Sequence, residues 1–157
     1  MSARKHTKAA ELIIECFVRG HKVLVCGNGG SATQADHLAA EFIGMGKAAI
    51  SLTNPAVMSA LANDGSYSQV FSSQIDALGR SGDVLVVITT SGKSANILQA
   101  RTAALRREMK VVALIGGERN SVLEFCDVVY WTKGDTPRVQ EEHLCILHRI
   151  WEDVCIY

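Results

Sequence analysis

KVLVCGNGGSATQADHLAAEF, residues 22–42, passes from a short β-branched run through a glycine-rich turn into a segment with helical apolar spacing. KVLVC is too brief for a helix and shows no strict alternation, which suits a strand buried on both faces. The same kind of run recurs at AAISL (48–52), DVLVVI (83–88), KVVALI (110–115) and DVVYW (127–131). Helical apolar spacing fills 6–19, 31–43, 56–62, 69–79, 94–108 and the stretch from about 138 to 156. Strand and helix thus alternate along the chain. Parallel strands need crossovers, and right-handed crossovers lay helices on the sheet faces. The expected fold is α/β: a three-layer α/β/α sandwich around a central five-stranded parallel sheet. Pro55 and Pro137 fall near expected helix starts, where a missing N–H costs little.

The length of 157 residues fits one domain, residues 1–157, with one substantial core. Sixteen basic residues balance sixteen acidic ones, so no bulk field favours nucleic acid or an anionic membrane. An anion must be caught by local geometry. No apolar run approaches the roughly 20 residues that span a bilayer, and MSARKHTKAAE lacks the apolar core of a secretion signal, which makes the cytoplasm the expected compartment. The five cysteines, Cys16, Cys26, Cys126, Cys145 and Cys155, lie mostly inside apolar runs without CxxC spacing. They are expected to be buried, reduced thiols.

Ligands of open α/β sheets bind beyond the carboxyl ends of the strands. The loops found there are GNGGS (27–31), TTSGKS (89–94) and GGERNS (116–121). GNGGSA matches the dinucleotide fingerprint G-x-G-x-x-G/A, but that site also needs an acid about 20 residues on, and KAAISLTN (47–54) offers none. The better reading is a tight turn that gives a substrate close access to backbone at Gly29 and Gly30 and to Ser31. TTSGKS fails the Walker pattern, because Val87 stands where its first glycine belongs. Four hydroxyls remain, Thr89, Thr90, Ser91 and Ser94, around a glycine at a helix start, where free N–H groups and the helix dipole favour a phosphate. Simple capping would need only one of them.

His37 and Glu41 stand four residues apart, so they share one helix face and can grip a metal or act as a base and its partner. An exposed surface pair is the plainer alternative. RVQEEHLCILHRIW adds Gln140, His143 and His148. Gln140 and His148 lie about 12 Å apart along a helix axis. One site using both requires a bent helix entry at Gln140 or a second subunit. His6, His21 and His143 are expected to be structural.

GNGGSATQADHLAAEF, ALANDGSY (60–67), ITTSGKS and TPRVQEEHLCILH, in this order and at these intervals, resemble the sugar isomerase (SIS) domain family, most closely its phosphoheptose isomerase branch. The resemblance runs from about residue 22 to 155. It implies a flavodoxin-like fold, a homotetramer with active sites at subunit interfaces, and conversion of sedoheptulose 7-phosphate to heptose 7-phosphate for bacterial surface heptose. By motif it implies one zinc per subunit on His37, Glu41, Gln140 and His148, with Glu41 and His148 as the acid/base pair. Thr89, Thr90, Ser91 and Ser94 would cradle the phosphate. Asn28, Gly29, Gly30, Ser31, Asn63, Asp64 and Gln140 would line the sugar pocket. The chain departs from the family pattern at Lys93, where asparagine is common, and at GMGK (44–47), a short link without the usual arginine. Two rival readings are a non-catalytic regulator of the DnaA-binding type and a phosphosugar-sensing domain. Regulators of that type tend to lose the acid/base residues, and Glu41 and His148 are both present.

Overall fold

The computed structural model describes residues 6–119 and 121–157. Among these residues there are five strands, β1 (Val23–Gly27), β2 (Ala49–Ser51), β3 (Val84–Thr89), β4 (Lys110–Gly116) and β5 (Val128–Thr132). Six helices connect and cover them: α1 (Lys8–Val18), α2 (Gly30–Gly44), α3 (Pro55–Asp64), α4 (Val70–Leu78), α5 (Ala95–Arg106) and α6 (Thr136–Cys155). Every strand pairing is parallel, and the sheet order is β2-β1-β3-β4-β5. This is the expected three-layer sandwich. Two short 3-10 turns, Tyr67–Gln69 and Val122–Phe125, were not visible as periodic segments.

Strand side chains alternate between faces, so a strand covered on both sides divides its apolar residues between two cores. Val23 and Val25 of β1 join one core with Val84, Val86 and Ile88 of β3, under α1, α2 and α6. Leu24 and Cys26 join the other with Leu85, Val87 and Ile115, under α4 and α5. The edge strands are less well covered. Ile50 of β2 is 36% exposed, and Val128 to Trp131 of β5 are only partly buried. AAISL and DVVYW therefore depart from burial on both faces, because an edge position leaves their helical cover incomplete.

Both prolines stand in a first helical turn behind a side-chain cap. Asn54 Oδ1 accepts from the Ala56 and Val57 N–H groups at 3.0 and 3.2 Å, and Asp135 Oδ1 accepts from Arg138 N–H at 3.3 Å. The cysteine expectation needs correction. Cys16 and Cys26 are buried, and burial pushes the Cys16 thiol up to about 11 and that of Cys26 higher still. Cys126 is half-buried, while Cys145 and Cys155 are exposed because they fall on the solvent side of α6. No helix among the described residues is long and apolar enough to cross a membrane.

Candidate active site

In the order β2-β1-β3-β4-β5 the chain reverses direction across the sheet between β1 and β3, which opens a crevice at their carboxyl ends. GNGGS leaves β1 there and TTSGKS leaves β3. In the first loop, a Cβ at Gly27 would lie 2.6 Å from the Ser31 carbonyl oxygen, and one at Gly30 would lie 2.5 Å from Gln140 Nε2. These two glycines let the helix start and α6 pack against the turn. Ser31 N–H donates to Asn28 O at 2.9 Å. The Ser31 side chain is itself buried, whereas Gly29 and Gly30 are exposed, so it is the backbone that faces the crevice.

In the second loop, Thr89 is buried and its hydroxyl accepts from Gly92 N–H at 3.1 Å. Ser91 Oγ accepts from Lys93 N–H at 3.2 Å. Gly92 has φ +66. Ser121, which sequence reasoning missed, donates from its hydroxyl to the Gly92 carbonyl at 2.6 Å and braces the turn from the loop after β4. Ser94 occupies the N-cap position of α5 but makes no side-chain cap bond. The loop therefore uses Thr89 and Ser91 to shape itself. Thr90 is half-buried, and Ser94 stands at the start of the helix with its hydroxyl uncommitted to capping.

Asn28 is tied to Asn96 of α5 through both amide groups, and the Tyr67 phenol donates to Asn28 Oδ1 at 3.2 Å. Neither Asn96 nor Tyr67 was among the residues expected at the site. Asn63 and Asp64 lie exposed on the last turn of α3, where Asn63 Nδ2 donates to Asp64 Oδ1 at 3.0 Å.

α2 and α6 run side by side in the same direction. Gln34 Nε2 donates to the Gln140 carbonyl at 2.7 Å near their starts, and Cys155 lies 3.4 Å from Met45 at their ends. Between these points His37 Nε2 is 2.9 Å from His148 Nε2, and Glu41 Oε1 is 3.7 Å from His37 Nε2. Thr33, Gln34, His37, Leu144 and His148 line an open cleft of about 310 Å³. His37 and Glu41 are half-buried and His148 is exposed. The structure thus gathers His37, Glu41 and His148 within one chain. α6 is unbroken from Thr136 to Cys155, so Gln140 does not stand in a bent entry segment. Its amide rests against Gly30, two turns away from His148.

Two imidazole nitrogens 2.9 Å apart are close to the roughly 3.3 Å that separates two ligands of one tetrahedral zinc, with Zn–N near 2.0–2.1 Å. The His37 and His148 pair, with Glu41 at its side, suits such an ion. No group of three such donors is already drawn together among the described residues, so Glu41 would turn toward the pair on binding. His143, by contrast, is fully buried in the core, and the His21 ring packs against Gly82, 3.7 Å from Asp83. This packing fits the structural reading of both residues.

Residues 2–116 match the SIS domain family. A phosphoheptose isomerase of Shewanella sp. (strain ANA-3) is 42% identical over 94% of this chain and 80% of its own length. The chain belongs to the phosphoheptose isomerases of the SIS domain family. The SIS fold of the chain superposes on the phosphoheptose isomerase of Neisseria gonorrhoeae with a TM-score of 0.89 at 42% identity, covering 95% of this chain and 84% of that one. Against the Francisella tularensis phosphoheptose isomerase the TM-score is 0.90 at 38% identity, with 95% and 83% covered. The match to these relatives extends past the family model into β5 and α6, the helix that carries Gln140 and His148.

Proposed function

We propose that this protein interconverts sedoheptulose 7-phosphate and D-glycero-D-manno-heptose 7-phosphate by enediol proton transfer, in the cytoplasm, for bacterial surface heptose. The observation that carries the reading is the meeting of His37, Glu41 and His148 on two parallel helices, of which α2 begins in the GNGGS loop. Moving a carbonyl from C2 to C1 requires a base to take the C1 proton and return it at C2. Glu41 is that base. His148 serves the two oxygens, donating to the carbonyl as charge develops and accepting from the neighbouring hydroxyl. Asn28 and the exposed backbone of Gly29 and Gly30 hold the sugar, joined by Asn63 and Asp64 from α3. The free N–H groups at the start of α5, with the hydroxyls of Thr90, Ser91 and Ser94, hold the phosphate. Thr89 acts there by keeping the turn in shape. Anchoring the remote phosphate orients the reacting carbons, so a substrate without it should lose turnover as well as affinity.

His37, Glu41 and His148 would hold one zinc, with Gln140 as fourth ligand, and the ion would act as a Lewis acid toward the developing enediolate. The two-turn separation of Gln140 and His148 supports an assembly in which a second copy completes the site, and we read that assembly as a homotetramer. The partial exposure of the three groups supports it too, since a covering subunit would exclude water from them.

Turnover of a panel of ketose phosphates by the purified protein tests the proposal. Sedoheptulose 7-phosphate should be converted with a kcat/KM at least about tenfold above shorter ketose phosphates, a margin within the reach of a few pocket contacts. Absence of turnover on every member, with ligand still bound, would support the phosphosugar-sensing reading instead.

A further inference from the structure

Asn28 and Asn96 face each other as an amide pair. Asn28 Nδ2 donates to Asn96 Oδ1 at 2.9 Å, and Asn96 Nδ2 donates to Asn28 Oδ1 at 2.8 Å. Asn96 is only 3% exposed, and among the described residues its side chain has no other hydrogen-bond partner. Burying an amide is costly unless it is paired, and asparagine is a poor helix former. Its presence in the first turn of α5 is explained by Asn28 alone. The pair also fixes how Asn28 is turned. Its oxygen receives both Asn96 Nδ2 and the Tyr67 phenol, so its amide nitrogen has one N–H on Asn96 and one left for a ligand.

Asn28 is continuous with the start of α2, because its carbonyl accepts from Ser31 N–H. Farther along α2 stand His37 and Glu41. Asn96 follows the hydroxyl loop by two residues. The amide pair therefore bolts the loop that suits the phosphate to the helix that carries the base.

We propose that Asn96 is a positioning residue of the isomerase: through Asn28 it sets the distance between the phosphate anchor and the reacting carbons, with Tyr67 as a third fixing point. This rests on the isomerase reading above. A misplacement of about 1 Å at a reacting centre can cost about 100-fold in rate, so loss of the bolt should fall on kcat while phosphate itself still binds.

The test measures kcat with sedoheptulose 7-phosphate and inhibition by inorganic phosphate for the wild type, Asn96→Ala, Asn28→Ala, the double variant and Tyr67→Phe. Asn96→Ala should lower kcat by about 10- to 100-fold while the phosphate inhibition constant stays within about threefold. In the Asn28→Ala background the same substitution should add less than about twofold, since Asn96 acts only through Asn28. Tyr67→Phe, at an exposed side chain that cannot endanger folding, should lower kcat by about threefold through loss of one hydrogen bond. The role is overturned if Asn96→Ala keeps wild-type kcat, or if its full loss persists without Asn28. It is equally overturned if kcat and phosphate binding fall together. Should Asn96→Ala fail to fold, wild-type kcat in Tyr67→Phe overturns it. An inactive wild type overturns the isomerase reading and this role with it; an active wild type with an indifferent Asn96→Ala overturns the role alone.

Discussion

His143 is fully buried on α6, and burial drives its pKa down to about 4. The folded protein keeps it neutral, while the unfolded chain takes up a proton below about pH 6.5. The unfolded state thus binds more protons between those two values, and stability is lost as pH falls from about 6.5 toward 4, by at most about 3 kcal/mol. His143→Leu should remove this loss. Urea unfolding of both proteins at pH 7 and pH 4.5 should show the stability difference moving by roughly 2 kcal/mol in favour of the variant at the lower pH. An unchanged difference would mean that His143 carries a proton in the fold. The structural reading of His143 was available from sequence, because nothing at helical spacing pointed it toward chemistry. His37 and Glu41 were legible for the opposite reason, a four-residue spacing just after a glycine turn. Asn96 and Ser121 were not legible. Their partners, Asn28 and Gly92, lie 68 and 29 residues away in the chain, and no local pattern announces such contacts.

Helix and strand positions were legible because each element carries its own period and its own stop signals. Asn54-Pro55 and Asp135-Thr136-Pro137 start helices as capping chemistry dictates. Burial of the edge strands was harder to read, since apolar composition does not say which strand ends a sheet. The hydroxyl turn shows how one glycine can decide an element junction. Gly92 adopts φ +66, and a Cβ there would lie 2.9 Å from Ile115 Cγ2 and 3.2 Å from Ser121 Cβ. Gly92→Ala should destabilise the protein by about 2 kcal/mol, combining left-handed strain with overpacking. A lowered urea midpoint at unchanged slope would bear this out; a midpoint equal to that of the wild type would show that the turn relaxes without strain.

At the scale of the whole molecule, the sheet order brings the ends of β1 and β3 together, so two loops 62 residues apart in sequence, at Gly27 and Thr89, border one crevice. The alternation of strands and helices made a parallel sandwich legible. The parallel course of α2 and α6 was not, because it depends on packing between the first crossover and the last helix. That packing sets His148 against His37 within one chain, where sequence spacing left a bent helix or a second subunit open for Gln140 and His148 together. If the proposed enediol chemistry runs at this cluster, Glu41 carries the substrate proton. Sedoheptulose 7-phosphate incubated in deuterated water should gain deuterium at C1 with the wild type, and Glu41→Gln should slow that exchange by at least about 100-fold while still binding the sugar phosphate. Exchange at the wild-type rate in Glu41→Gln would contradict the assignment of Glu41 as the base.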